Sequence, residues 1–251
     1  MAMEWNVYCL DTIDKEPQPG CFGKGDVQTY LDWLFQAWGQ TLMVAGLSLV
    51  LALIVGSLVG TARTLPNSPV LVRLANAWVE FFRNIPLLVQ IFLWYHVVPV
   101  VFPLFAETPK LLLVVVGLGL FTSARIAEQV RAGVQALPRG QRYAAMAVGF
   151  TTFQTYRYVL LPMAFRIIVP PLTSESMNIF KNSSVAFAVS VTELTFFAQQ
   201  AGEETSRGIE IYMGVTLLYI ISALVINRIM AFVEKRVRVP GFVASTGGGG
   251  H

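Results

Sequence analysis

Long uncharged apolar runs alternate with short basic stretches along this chain. Thirty residues separate Asp32 from Arg63 without a formal charge, among them LMVAGLSLVLALIVGSLVG. About 20 mostly apolar residues in a helix cross the hydrocarbon core of a bilayer, so this run predicts a membrane span. Between Arg83 and Glu107 lie 23 more, NIPLLVQIFLWYHVVPVVFPLFA, which predict a second. Lys110 and Arg125 enclose only 14, LLLVVVGLGLFTSA. That is ~21 Å of helix, a span only if the helix continues through Ile126 and Ala127 with its end charges reaching the interface. Residues 167–188 form a weaker fourth candidate, interrupted by Glu175 and Lys181. Residues 209–233, with IYMGVTLLYIISALVIN, predict a fifth. The pattern is that of an all-α integral membrane protein with five transmembrane helices. It comprises an extracytoplasmic N-terminal segment 1–33, a spanning domain 34–236 and a tail 237–251. The closing GGGGH reads as a linker and the first residue of an affinity tag.

Five spans put the termini on opposite sides, and charge chooses between them. Of 18 Lys and Arg, 13 fall in residues 63–83, 125–166 and the C-terminal segment, Arg238 included; five fall in the other set of loops. The positive-inside rule therefore predicts the N-terminus outside and the C-terminus in the cytoplasm. Trp33, Trp38, Trp78 and Trp94 fall near the predicted interfaces, where aromatic belts form. Bulk composition agrees: 55% of residues are hydrophobic, 13% charged, and mean hydropathy is +0.59. Soluble domains carry about 25% charged residues. The net charge of +3, with its basic residues spread out, argues against a nucleic-acid partner. Cys9 and Cys21 form no disulfide framework and show no zinc spacing; in an oxidising compartment they either pair or stay free, as geometry decides. Residues 1–33 hold six acidic side chains and no long apolar core, unlike a cleavable leader.

The longest cytoplasmic connection, 125–166, has structure of its own. Pro138 suits a first helical turn, good helix formers run from Gln141 to Ala147, and Gly149 offers a stop. A second short helix over 151–159 leads to Leu161-Pro162. Small side chains on a surface helix bury little within their own subunit; they let another protein approach closely, or the helix merely rests on lipid.

This stretch, YAAMAVGFTTFQTYRYVLLP (143–162), resembles the cytoplasmic loop of permease subunits of ATP-binding-cassette (ABC) importers. The family pattern is Glu-Ala-Ala, three residues, Gly, nine residues, an aliphatic residue, one residue, Leu-Pro. Ala144 and Ala145 stand at the alanines, Gly149 at the glycine, Val159 at the aliphatic position, and Leu161 and Pro162 at the end. Tyr143 replaces the usual glutamate and forgoes any salt bridge that residue makes. The likeness extends through VEFFRNIPLLVQIFLWY (79–95), LFTSARIAEQVRAGVQALPRGQ (120–141), PPLTSESMNIFKNSSVA (170–186), WNV near the start and VEKRVRVPG (233–241). It covers nearly the whole chain and is similar above all to a permease subunit of bacterial glutamate/aspartate importers. The resemblance implies a type I ABC importer permease fold in the bacterial inner membrane, working by alternating access. It implies a coupling loop at about 137–162, seated in an ABC ATPase dimer through Ala144, Ala145, Gly149, Leu161 and Pro162. The other implied partners are a second, related permease and an extracytoplasmic substrate-binding protein. Glutamate or aspartate is the implied substrate; a permease for glutamine or asparagine, or a stand-alone channel or secondary transporter, are the alternatives.

No Gly-x-x-x-x-Gly-Lys-Ser/Thr loop is present, so ATP and Mg are expected on the partner ATPase and no cofactor on this chain. Ionisable groups inside a span cost ~2.5–3.5 kcal/mol on insertion scales unless they face a cavity or a partner. Glu175, Asn178 and Asn182 share one helix face at i, i+3, i+7 spacing, with Lys181 adjacent and Ser183 and Ser184 following. Pro170 and Pro171 free backbone carbonyls one turn earlier. An α-amino acid needs a partner for its ammonium, which Glu175 supplies, and partners for carboxylate, which Lys181 and the Asn and Ser groups supply. The alternative is that Glu175 and Lys181 sit at helix ends or pair structurally. Arg125, Glu128 and Arg131, spaced by three, read as an ion ladder within one helix. Arg83, Asn84 and Pro86 read as an anchor and kink, Gly56-x-x-x-Gly60 as a close helix contact, and His96 as interfacial or pore-facing. No catalytic constellation and no metal site is assembled.

Overall fold

The computed structural model describes residues 4–25, 27–66 and 68–237. The predicted tail from Arg238 to the terminal Gly-His, and with it the end of VEKRVRVPG, lies outside the described residues. The described chain is helical, with only two isolated β-bridges, Leu10 to Pro17 and Asp11 to Thr29. The principal helices are α1 (Tyr30–Ala62), α2 (Pro69–Asn84), α3 (Leu87–Val101), α4 (Lys110–Gln135), α5 (Arg139–Ala147), α6 (residues 152–182), α7 (Leu194–Thr205) and α8 (Gly208–Val237). Three of them, α1, α4 and α8, are long and apolar enough to cross a membrane, or four spans if the interrupted pair α2 and α3 counts as one.

Two predicted spans differ in the structure. The run 84–106 is not one rod. Pro86 holds Ile85 extended (φ −100°, ψ 129°), as the residue before a proline prefers, and so separates α2 from α3. Inside α3, Pro99 has no N–H for the Tyr95 carbonyl, and residues Leu93–Val97 widen into a π turn. The fourth span is displaced. Its helix runs from 152, through a π turn at Tyr156–Leu160, to Asn182; Ser183–Val189 then tighten into 3-10 geometry and end at Ser190 in the left-handed region. Thr173, Ser174, Glu175, Ser176, Asn178, Lys181 and Asn182 keep this helix below the apolarity of a span. By contrast α4 runs on past Ala127 to Gln135, which gives the short apolar run its missing length. The helix α7 lies where the sequence suggested only a connection.

The described residues divide into two compact units. One draws on the chain through Leu49, Pro86–Gly119 and Asn178–Val225. Its core gathers Val7, Tyr30, Leu34, Leu194, Phe197 and Ile211, and Trp33 meets Phe197 edge-on at 5.1 Å. The N-terminal segment is fastened to this core. Cys9 and Cys21 are joined, Tyr8 Oη donates to the Glu210 carbonyl at 2.9 Å, and Lys15 pairs with Glu204 at 3.1 Å. Glu193, fully buried, caps α7 by accepting from Thr195 N–H and Phe196 N–H, both at 2.9 Å. Tyr219 Oη donates to its other oxygen at 3.1 Å.

The second unit draws on Val50–Ile85, Leu120–Met177 and the described residues from Ile226. Here the end of α1 lies against α4 through the predicted glycine pair. A Cβ on Gly56 would stand 2.8 Å from Ser123 O, and one on Gly60 2.7 Å from Ala127 O, so only hydrogen fits at either position. Leu137, Tyr156, Leu160 and Ala164 form its smaller core, and Tyr156 Oη donates to the Thr64 carbonyl.

Candidate functional site

Within the second unit, α4 presents Arg125, Glu128 and Gln129 to a cavity of about 450 Å³ that Arg83, Phe121 and Glu175 also line. That volume lies in the ~300–1,000 Å³ range of small-molecule sites. Glu175 is buried, with Arg125 Nε 3.0 Å from its Oε2. The chain itself thus supplies the cation that a carboxylate in an apolar setting requires. Glu128 takes three arginines: Arg63 and Arg83 each approach Oε1 to 3.0 Å, and Arg131 stands 4.0 Å from Oε2. Arg63 also donates from Nε to Asn76 Oδ1 at 2.7 Å. The Oε1 of Gln129 is buried without a hydrogen-bond partner among the described residues.

These contacts correct the ion ladder read from spacing. Only Glu128 and Arg131 meet along α4, at the longest of the distances; Arg125 turns to α6, and Glu128 to Arg63, just past the end of α1, and to Arg83 of α2. Like charges would have crowded one face of α4, and charges on neighbouring helices neutralise it at shorter range. Arg83, expected as an anchor, is a member of this cluster. Arg63 escaped notice because nothing local in the sequence links it to Glu128, 65 positions away.

Of the six polar residues singled out on the fourth predicted span, Glu175 alone lines this cavity. Asn178, Lys181, Asn182, Ser183 and Ser184 belong to the other unit. Lys181 is exposed and Asn178 and Asn182 are half-buried. Ser183 Oγ donates to the Phe180 carbonyl at 2.7 Å and Ser184 Oγ to the Lys181 carbonyl at 2.8 Å. Both hydroxyls thereby satisfy carbonyls left open where the helix ends, and their lone pairs remain available as acceptors. His96 is exposed, stacked on Phe92 at 5.9 Å.

The loop residues 139–162 fold as helix, turn, helix. α5 ends at Ala147, and Gly149 follows with φ +88°, the left-handed position that glycine takes at a helix C-terminus. Thr151 and Gln154 cap α6 reciprocally: Gln154 N–H donates to Thr151 Oγ1 at 3.2 Å, and Thr151 N–H to Gln154 Oε1 at 2.8 Å. Ala144 is exposed and Ala145 buried. Leu161 is half-buried and Pro162 exposed, just past the π turn. Around Ala144 the surface is apolar, with Tyr143, Met146, Val148 and Phe153 all at least half exposed. An exposed apolar patch of this kind suits contact with another protein or with lipid.

Comparisons with known proteins place the chain in a family. The family described as "Binding-protein-dependent transport system inner membrane component" matches residues 52–239. The glutamate/aspartate import permease protein GltJ of Escherichia coli (strain K12) is 41% identical over 223 residues, covering 85% of this chain and 90% of that protein. The probable amino-acid ABC transporter permease protein PatM of Vibrio harveyi is 33% identical, covering 81% and 91%. The glutamine transport system permease protein GlnP of Escherichia coli (strain K12) is 31% identical, covering 82% and 93%. Among solved structures, a chain of an amino acid ABC transporter crystallised with histidines superposes with a TM-score of 0.71 at 27% identity, over 82% of this chain and 95% of that one. The MetNI methionine ABC transporter, in inward-facing conformation, shares the fold, with a TM-score of 0.72 at 23% identity over 83% and 98%. The chain is a multi-pass inner-membrane protein and belongs to the family of inner membrane components of binding-protein-dependent transport systems, among the amino-acid ABC permeases.

Proposed function

We propose that this permease passes acidic amino acids, glutamate and aspartate, across the inner membrane by alternating access. The observation that carries the reading is the charged cavity of the second unit. An acidic amino acid offers two carboxylates and one ammonium; the cavity holds two partly exposed guanidiniums, Arg83 and Arg125, beside the carboxylates of Glu128 and Glu175. Glu175 serves the ammonium, and Gln129 has an amide to spare. In the other unit, Asn178, Lys181 and Asn182 at the end of α6, with Ser183 and Ser184 just after it, are further candidates for contact with the substrate. The higher identity to the glutamate/aspartate permease than to the glutamine permease supports the acidic substrate.

Five spans serve this path: α1, α3, α4, α6 and α8, with the N-terminus outside. The Cys9–Cys21 bridge in the N-terminal segment supports that orientation, since disulfides persist in oxidising compartments. On the cytoplasmic side Ala144, Ala145, Gly149, Leu161 and Pro162 form the seat of an ATPase dimer, which holds ATP and Mg; a second, related permease and an extracytoplasmic binding protein complete the importer. The test is uptake by the complete complex in vesicles, with radiolabelled glutamate challenged by unlabelled aspartate, glutamine or asparagine. Aspartate competes and the amides do not; uptake blocked by glutamine and indifferent to aspartate would overturn the acidic reading.

A further inference from the structure

Two further cavities in the same unit take no part in that path. An apolar groove of about 820 Å³ is lined by Leu58, Leu65, Leu71, Phe153 and Phe165, and by Leu161 and Pro162, which the ATPase seat proposed above shares with it. Leu58 is 69% exposed and Phe153 73%. Leu58 lies four residues before the end of the spanning helix α1, so the groove opens where the bilayer core gives way to headgroups. A neighbouring cavity of about 510 Å³ shares Leu65 and Tyr156 as a common wall and adds Arg63, Arg139 and Arg142. Arg63 is engaged by Glu128 and Asn76. Arg139 and Arg142 have no acidic side chain within ion-pair distance among the described residues. Neither cavity is lined by an acidic residue, and a further cation, Arg157, stands exposed on the groove, 5.7 Å from the Tyr158 ring.

We propose that the two cavities together bind one anionic phospholipid, one of its two acyl chains in the groove, the other left to the bilayer, and its phosphate against Arg139 and Arg142. The chemistry selects an amphiphile. A soluble anion satisfies the arginines and leaves a large apolar groove in contact with water, which costs free energy in proportion to its area. A neutral transmembrane helix fills the groove and leaves two unpaired guanidiniums at its end. A chain with a negatively charged head matches both halves, and basic pockets at the membrane surface bind such heads. The lipid would then lie beside α5 and the start of α6, so that bilayer composition bears on the segment that faces the ATPase.

The test uses the purified full chain stripped of lipid in detergent. It is titrated with 1-palmitoyl-2-oleoyl phosphatidylglycerol, the corresponding phosphatidylcholine, or inorganic phosphate, and bound mass is read by native mass spectrometry. Phosphatidylglycerol binds in preference to phosphatidylcholine, and Arg139→Gln with Arg142→Gln lowers that preference by about 30-fold, the weight of two basic side chains at a membrane surface. The lysine pair, Arg139→Lys with Arg142→Lys, retains the preference and shows that folding is not at issue. Leu58→Trp, which fills the groove, lowers occupancy by either lipid. Equal binding of the two lipids to the unaltered chain would overturn the proposal. So would displacement of phosphatidylglycerol by millimolar phosphate, or quantitative disulfide capture of Leu58→Cys by another polypeptide in native membranes.

Discussion

Glu128 is the point at which the charged cavity is most exposed to a single substitution. Its Oε1 lies 3.0 Å from both Arg63 and Arg83, but the two cations differ. The Arg63 side chain is 6% exposed and Arg83 54%. Removing one partner of a buried pair costs about 3–5 kcal/mol, because the other charge is stranded, whereas an exposed pair contributes only ~0–1 kcal/mol. Glu128 is itself 34% exposed, so water relaxes part of the loss, and Asn76 still holds Arg63 Nε. Glu128→Ala should therefore destabilise by about 2–4 kcal/mol, nearly all of it through Arg63. On the scale of soluble domains of this size that is a Tm lower by about 4–16 °C. Thermal unfolding of the purified chain in detergent, followed by loss of the monodisperse size-exclusion peak, reads it directly. Arg63→Met supplies the cycle. Combined with Glu128→Ala it removes the stranded cation, and the double variant should recover about 1–3 kcal/mol against the sum of the singles. Arg83→Met should show almost no coupling. Strictly additive losses at Arg63 and Glu128, or coupling that resides in Arg83, would refute the burial argument.

Three further outcomes follow from the same geometry. Gly60→Ala brings a methyl to 2.7 Å from the Ala127 carbonyl, against backbone that must shift, whereas a Cβ on Gly46 meets nothing within 4 Å. The first should cost about 1–3 kcal/mol as overpacking does and the second nothing, so equal Tm values for the two variants would contradict the close contact. Gly149→Asp places its Cβ in open space within this chain, so harm beyond the left-handed strain of ~1–2 kcal/mol falls on the docked partner. Transport-coupled ATP hydrolysis should collapse while the chain is still made, and a normally stimulated, complete complex would count against docking there. Burial works against both charges of the Lys15–Glu204 pair, but hydrogen bonding with Tyr30 and with each other outweighs it, so Glu204 titrates below its ordinary 4.5 and Lys15 above its ordinary 10.5. The depressed acid stabilises above about pH 4.5 and loses that contribution as pH falls through its folded value; the raised base stabilises below about pH 10.5 and loses it as pH rises through its own. The Tm difference between the native chain and Glu204→Gln should be flat between those limits and shrink as pH falls below about 4.5, and a difference that does not change with pH on the acid side would exclude the pair.

What the sequence disclosed and what it hid follow from the range of the forces involved. Spans were legible at α1, α4 and α8 because bilayer insertion sums hydropathy over about 20 adjacent residues, a property the chain carries locally. The glycine that ends α5 was legible for the same reason, since a left-handed turn is specified by one residue. Pro86 and Pro99 were equally visible, and they broke a run that hydropathy alone treats as continuous; backbone donors, which hydropathy does not count, decided α3. Glu193 was visible too, but a cap declares itself only when the apolar face behind it has something to pack on, and α7 packs Leu194, Phe197 and Ala201 into a core with Val7 and Tyr30 from the far end of the chain. The charged cavity was the least legible part. Its members come from α2, α4 and α6, and local spacing offered Glu128 a partner three residues away when closer ones stood elsewhere in the fold. In an apolar medium a charge cannot wait for solvent to compensate it, so a buried carboxylate must find hydrogen-bond donors, as Glu193 does, or a cation, as Glu175 does, among residues that the fold brings near. Clustered unlike charges spread over several spans are for that reason better evidence of a shared cavity than any run of polar residues within one span.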